Sequence, residues 1–303
     1  MQTMQETDKL NHEFGIANAL RFEASNGMTA AFVSTPKAEA TLYLQGAHLA
    51  AWTPSGHRPA LFLSSRSRFE SGKAIRGGVP IIFPWFNARG DGLPGPSHGF
   101  ARTTNWTVES ASLDDDRLVL SLLLLPNETS RGYGFDDFEL RFRVSIGQTL
   151  RMELQTRNQS PQPLTIREAL HTYFAVSDVR QVSVTGLEGS AYHDHADGDI
   201  RKQQPAAPVR VSGETDMLFV GTESTCTIED PGWRRRIVIE KSGSRSTVVW
   251  NPWVEKAAQM ADLGEGEWQR MLCVESANAA ENAVTIEPQQ AQTLSAMIRV
   301  EEL

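Results

Sequence analysis

Leu140-Arg141-Phe142-Arg143-Val144-Ser145-Ile146-Gly147-Gln148-Thr149-Leu150-Arg151-Met152-Glu153-Leu154-Gln155 decides the fold. Apolar residues stand at every second position on both sides of Gly147-Gln148, and Arg, Ser, Glu and Gln fill the places between. Successive side chains of a strand point to opposite faces. This period of two therefore describes two half-buried antiparallel strands joined at the glycine. Upstream, Leu118, Leu120, Leu122 and Leu124 repeat the pattern before Pro126-Asn127. Val119 and Leu123 make the second side apolar too, which predicts a strand covered on both faces.

Shorter strands are expected at 29–33, 41–44, 107–109, 181–184, 236–240, 247–250 and 297–300, with turn residues between them. Helical periodicity is confined to brief stretches at 256–260 and 267–270. Many strands with no alternating helices predict an all-β protein, a large antiparallel β-sandwich with few short helices. No composition break, linker or repeat divides it, so residues 15–303 are expected to form one domain. Residues 1–14 read as a loose N-terminal tail, since Met1 to Phe14 hold Lys9, several acids and amides and no apolar h-region.

Composition narrows the function. The chain has 303 residues, 40% of them hydrophobic, and a net charge of −8, which supports a sizeable core and argues against general binding to nucleic acid phosphates. A small anion can still be held, because the local potential of a cleft can oppose the net charge. Two cysteines, Cys226 and Cys273, are too few for a disulfide framework or a structural zinc site and fit a reducing compartment. With no membrane span and no signal peptide, the expectation is a cytoplasmic monomer without nucleic-acid or membrane partners. Three glycosylation-like triplets, at Asn105, Asn127 and Asn158, are short chance matches.

Chemistry is concentrated in a few stretches. Val248 to Asn278 begins with an apolar run, passes through Trp250-Asn251-Pro252-Trp253 and ends in Met271 to Val274, which delivers Glu275. A carboxylate at the end of an apolar strand needs a partner or a purpose, and the two tryptophans suit a pocket wall for a flat ligand. The Gly- and Pro-rich stretch from Arg66 to Arg102 reads as a long ordered loop bringing Arg76, Arg89, His98 and Arg102 next to glycines that allow close approach to a ligand. Arginine forks suit phosphate or carboxylate. Gly90 to Gly95 matches a dinucleotide fingerprint, but Pro94 and Pro96 forbid the helix such a site requires. His171 lies in Leu170-His171-Thr172-Tyr173-Phe174, where alternation puts it on the same face as Tyr173. Asp216 stands at the mouth of the strand that continues into Met217 to Val220. His193-Asp194-His195, with Asp197 and Asp199, reads as a polar loop rather than a metal site, since no second ligand cluster accompanies it.

Taken together, the stretches Arg76 to Pro84, Ser97 to Arg102, Leu170 to Phe174, Thr215-Asp216, Val249 to Trp253 and Cys273 to Glu275 resemble the hexose-6-phosphate mutarotase branch of the aldose 1-epimerase family, in consistent order from about residue 40 to residue 300. The resemblance implies a sandwich of the galactose-mutarotase type. It also implies interconversion of the α and β anomers of a sugar phosphate, D-glucose 6-phosphate foremost, with neither metal nor organic cofactor. By position it makes His171 and Glu275 catalytic, and Arg76, Ser97, His98, Arg102 and Asp216 substrate-binding. Two positions depart from that branch: Ser97 stands where Gln is frequent and Asn87 where Gly is frequent. An epimerase for unphosphorylated sugars and a non-catalytic carbohydrate-binding sandwich are the alternatives.

Overall fold

The computed structural model describes the backbone of residues 2–303 and the side chains of residues 5–303. The hairpin that decides the fold forms as Phe138–Ile146 and Thr149–Asn158, paired antiparallel from Phe138 opposite Asn158 to Ile146 opposite Leu150. Its alternation is that of the sequence: Leu140, Phe142, Val144, Leu150, Met152 and Leu154 are fully buried. On the other face Arg141 pairs with Glu109 and Glu139, and Arg143 with Glu153.

The hairpin is the centre of an eight-stranded antiparallel sheet. Its order is Ser183–Thr185, Cys226–Asp230, Arg235–Ser242, Ala291–Glu302, Thr149–Asn158, Phe138–Ile146, Arg117–Leu124 and Thr107–Asp114. The expectation of a strand covered on both faces at 118–124 is corrected in part. Leu118, Leu120, Leu122 and Leu124 are buried, but Val119 and Leu123 are only half-buried, because they share the partly solvated face that carries Arg141 and Arg143.

A second sheet carries the site. From one edge it runs Ile200–Gln203, Ala191–Asp194, Thr215–Val220, Ser246–Asn251, Met271–Asn278, Glu168–Leu170 and Ile81–Ile82, and Tyr173–Ala175 also pairs with Met271–Asn278. A four-stranded meander, Leu20–Ser25, Met28–Thr35, Ala38–Tyr43 and His48–Pro54, covers the remaining flank. Residues of all three sheets share one large apolar core. This is the all-β sandwich expected.

The segment expected as a loose tail is instead a helix over Gln2–Phe14. Leu10 and Phe14 pack on the main core, and Asn11 both accepts from Phe22 N and donates to Phe22 O at 2.7 Å. The signal was faint in sequence because a polar side chain, pairing with a strand edge, supplies much of the anchorage. Met1 lies outside the described residues.

Candidate active site

Register places the chemistry on one face of the second sheet. Val248 sits opposite Glu275, Asp216 opposite Trp250, and Cys273 opposite both Trp250 and Tyr173. Directly paired residues share a face, and so do residues two apart, so all six side chains belong to the same side. Val249, Val274 and Phe219 take the other side and join the main core. On the site face a smaller apolar cluster of Ile82, Ala169, Leu218, Val220, Val248 and Ala277 supports the floor.

Three local devices position the walls. Asn251 is fully buried and donates to Trp268 O at 2.8 Å and Met271 O at 2.9 Å while accepting from Trp253 N, so it ties the end of one site strand to the start of the next. Gly77 and Gly78 have positive φ, and a Cβ there would stand 2.6 Å from Leu63 Cα and 2.8 Å from Ala50 Cα. Only glycine fits, and the loop then lies alongside the 171–173 stretch: Tyr173 N donates to Gly78 O at 2.9 Å and His171 N to Pro80 O at 3.0 Å. A side chain at Gly99 would run into the Phe83 carbonyl, and His98 beside it takes φ 66°. The turn is closed by His98 N donating to Asn87 O at 2.8 Å and Asn87 N donating to His98 Nδ1 at 3.2 Å.

These elements enclose a cleft of about 320 Å³ whose lining includes all seven residues expected from the sequence: Arg76, Ser97, His98, Arg102, His171, Asp216 and Glu275. Phe86, Asn87, Tyr173, Val248, Trp250 and Lys256 complete it. A larger cleft, about 520 Å³, is lined by Val254, Ala257, Met260, Leu263 and Trp268 with only Arg66 and Glu265 as charged groups, and offers no acid–base pair.

His171 and Glu275 are 7% and 2% exposed, with Nδ1 and Oε1 3.2 Å apart. Their relative orientation is not that of a hydrogen bond, so His171 Nδ1 and Glu275 Oε2 are both buried without a hydrogen-bond partner. Buried polar atoms in this condition are costly unless a ligand meets them. Tyr173 stacks on the His171 ring at 4.8 Å and 8°, and Trp250 and His98 meet it edge-on. Burial pushes the Glu275 carboxyl well above its ordinary range, with Asp216 adding to the effect and Arg102 opposing it. Burial also pushes His171 well below the usual imidazole range, helped by His98, Arg102 and Arg76. Both groups are thus held in their uncharged forms, with one mobile proton between them. His98, which lines the cleft, is pushed down to about 3 by burial and the two arginines; its Nδ1 accepts from Asn87, which leaves Nε2 as the proton-bearing atom.

The two arginines are held differently. Arg76 donates to the Tyr173 hydroxyl at 2.9 Å and to Asp262 Oδ2 at 3.1 Å, and these neighbours hold its guanidinium above its ordinary range. Arg102 donates to Ser97 O at 2.8 Å, and among the described residues no carboxylate forms an ion pair with it. Burial brings its pKa down to about 10, with Arg76 adding repulsion. Both guanidiniums keep a buried Nε without an acceptor. A pair of cations with spare donors lining one cleft is suited to an anion.

Sequence reasoning placed one side chain wrongly and missed others. Trp253 is not in the lining; it packs on Trp268 at 4.5 Å. Glu275 is mid-strand rather than at a strand end, since the strand runs on to Asn278. Asp262, 186 residues from Arg76, carries no sequence signal of that pairing, and Lys256, paired with Glu214 at 2.7 Å, reads in the sequence only as part of a short helix. His171, Cys273 and Glu275 bring one donor atom each within 4.8 Å of one another. Burial first and Glu275 second keep the Cys273 thiol protonated, and two guanidiniums stand nearby, so this set suits proton transfer better than a cation. Among the described residues no helix is long and apolar enough to cross a membrane, and both cysteines are free and buried.

The family model described as aldose 1-epimerase matches residues 32–298. The chain belongs to this family. It is 33% identical over 250 residues to a provisionally named glucose-6-phosphate 1-epimerase of Escherichia coli K12, covering 82% of this chain and 83% of that one. A protein of the same provisional name from Cenchrus ciliaris is 35% identical over 263 residues, covering 82% of this chain and 77% of the relative. The crystal structure of a provisionally assigned mutarotase from Salmonella typhimurium superposes with a TM-score of 0.89 at 29% identity, covering 98% of this chain and 99% of the other. The fold of this aldose 1-epimerase family member is therefore that of a mutarotase.

Proposed function

We propose that the cleft interconverts the α and β anomers of a hexose 6-phosphate, D-glucose 6-phosphate first among them. The buried His171–Glu275 pair carries the proposal: two unpartnered groups 3.2 Å apart, with one proton to move, beside two arginines with free donors. The chemistry follows from proton bookkeeping. With the sugar bound, the shared proton first passes from Glu275 to His171; ring opening then has Glu275 as a carboxylate take the proton from the C1 hydroxyl, and His171 as an imidazolium protonate the ring oxygen as the C1–O5 bond breaks. The products are an open-chain aldehyde, a carboxylic acid and a neutral imidazole. After rotation about C1–C2 the same groups run in reverse: the new C5 hydroxyl gives its proton to His171, attacks the other face of C1, and the carbonyl oxygen takes the proton from Glu275.

The neutral pair favoured by burial is thus the state that accompanies the open chain. Burial lowers the cost of ring opening relative to a solvated pair, in which both groups would stay charged. Each positioned proton transfer typically contributes about 10²- to 10⁴-fold. Arg76 and Arg102 would hold the phosphate, with Lys256 at the rim, and His98 Nε2 and Asp216 would hold sugar hydroxyls. The relatives named for glucose 6-phosphate support the phosphorylated substrate. An unphosphorylated sugar would leave the spare Nε donors of both arginines without an acceptor, and a non-catalytic binding module would leave the acid–base pair unexplained.

The reading requires no nucleic acid, membrane or second subunit, because one chain lines the cleft. A reducing cytoplasm suits a phosphorylated substrate and two free thiols. Magnetisation-exchange NMR between the α and β anomeric protons tests it, with glucose 6-phosphate, glucose and galactose in parallel. The expected result is exchange fastest for glucose 6-phosphate. Equal exchange for all three would remove the phosphate from the account, and none would remove the enzyme.

A further inference from the structure

The polar loop that the sequence singled out, His193 to Asp199, reaches the cleft from behind. His195 is half-buried and places Nδ1 3.3 Å from Asp216 Oδ1, although His195 itself is outside the lining. Its other ring nitrogen, Nε2, is 3.3 Å from Asp199 Oδ1. Asp199 also faces His193 Nδ1 at 3.5 Å, and His193 Nε2 meets Glu281 at 3.2 Å. Lys202, on the neighbouring strand Ile200–Gln203, is engaged by Asp194 at 2.8 Å and Asp197 at 2.5 Å, which leaves Asp216 to the histidine.

We propose that His195 is a positioning residue, which fixes the Asp216 carboxylate in the orientation that receives the sugar hydroxyls. This rests on the reading of the cleft as a hexose-phosphate site and adds a residue to it. With Oδ1 engaged by the imidazole, Asp216 can turn only its remaining lone pairs into the cleft. A carboxylate oriented before the sugar arrives loses less side-chain freedom on binding. The dyad also matters to Glu275, whose carboxyl is held protonated in part by Asp216. A charged His195 screens that carboxylate from the acid–base pair.

The dyad makes sugar binding depend on pH in a stated direction. Asp216 first, then Asp199 and Asp194, hold the His195 imidazolium above the ordinary histidine range, against the effect of burial. The charged contact is therefore complete at and below about pH 6.5 and is lost as pH rises through the higher value of the folded protein. His195→Gln keeps a neutral donor but cannot titrate, and His195→Ala removes the donor.

The test has two parts, run on the full chain. In the first, the Hε1 proton of His195 is titrated by NMR in the wild type and in Asp216→Asn; its pKa should fall in the variant. In the second, KM and kcat for glucose 6-phosphate are measured across pH for the wild type, His195→Gln and His195→Ala. The ratio of KM values, variant to wild type, removes the phosphate's own ionisation. It should reach roughly threefold to tenfold for His195→Ala, the range of one lost hydrogen bond, with kcat within about twofold. For His195→Gln the ratio should be largest at low pH and approach one as pH rises. An unchanged titration in Asp216→Asn, or KM ratios of one at every pH, would overturn the proposal with exchange intact. So would a loss confined to kcat, which would place His195 in the chemistry. A wild type that leaves the anomers unexchanged would instead remove the functional reading.

Discussion

Arg102→Ala separates recognition of the phosphate from recognition of the sugar. Arg102 is the better target of the two arginines because its removal leaves only the Ser97 carbonyl without a donor. Removing Arg76 would strand both Asp262 and the Tyr173 hydroxyl. Arg102 is half-buried, has a free Nε and is crowded by Arg76, so a dianionic phosphate relieves repulsion as well as gaining donors. Hydrogen bonds to a charged group contribute about 1.5–3 kcal/mol. At about 1.4 kcal/mol per factor of ten, kcat/KM for glucose 6-phosphate should fall roughly tenfold to a hundredfold. Activity on free glucose should stay within about twofold, because that sugar gives the fork nothing to hold. Raised salt should imitate the substitution weakly by screening the approach of the dianion. The assay is kcat/KM for both sugars in both proteins, with thermal melting to establish that the variant is folded. Equal proportional losses for the two sugars would refute the phosphate assignment and make Arg102 a structural residue or a contact to the sugar ring.

Two further expectations concern the acid–base pair. His171→Asn should lower kcat far more than it changes KM, because protonation of the ring oxygen matters mainly in the transition state; a change confined to KM would make His171 a binding or packing residue. In the pH dependence of kcat the pair must hold one proton, so activity is lost at low pH only when a second proton lands on His171 and at high pH only when the shared proton leaves. Because His171 is depressed and Glu275 raised, kcat should show no step near pH 6.5, the ordinary histidine value, and should hold to more acidic pH; an acid limb centred near about 6.5 would show that burial does not govern the pair.

How far the sequence reads depends on whether a residue's role is local or distant. Period-two alternation is local, so the 138–158 hairpin and the strands that carry Trp250 and Glu275 are legible residue by residue. The common face of His171 and Tyr173 is legible for the same reason, and the structure stacks the two rings. What the residues alone do not carry is which strands become neighbours. The pairing of Met271–Asn278 with Glu168–Leu170 and Tyr173–Ala175 brings the carboxylate beside the histidine, and nothing near position 275 announces it. Asp262 is an acid in a Gly- and Glu-containing connection until the chain folds it onto Arg76. Trp253 reads as a pocket wall beside Pro252, yet the Asn251 clamp turns it onto Trp268. The helix Gln2–Phe14 is faint in the sequence because few apolar residues mark its packed side. His195 offered metal-like spacing, but its role depends on a carboxylate 21 residues away.

The central claim is that Glu275 and His171 exchange protons with a sugar ring. Its most direct test is magnetisation exchange between the anomers of glucose 6-phosphate, measured for the wild type and Glu275→Gln at equal protein concentration. The amide keeps the shape of the carboxylate but cannot accept the C1 proton. The account predicts rapid exchange in the wild type and background exchange in a variant that melts as a folded protein. A folded variant that exchanges at close to the wild-type rate would contradict it.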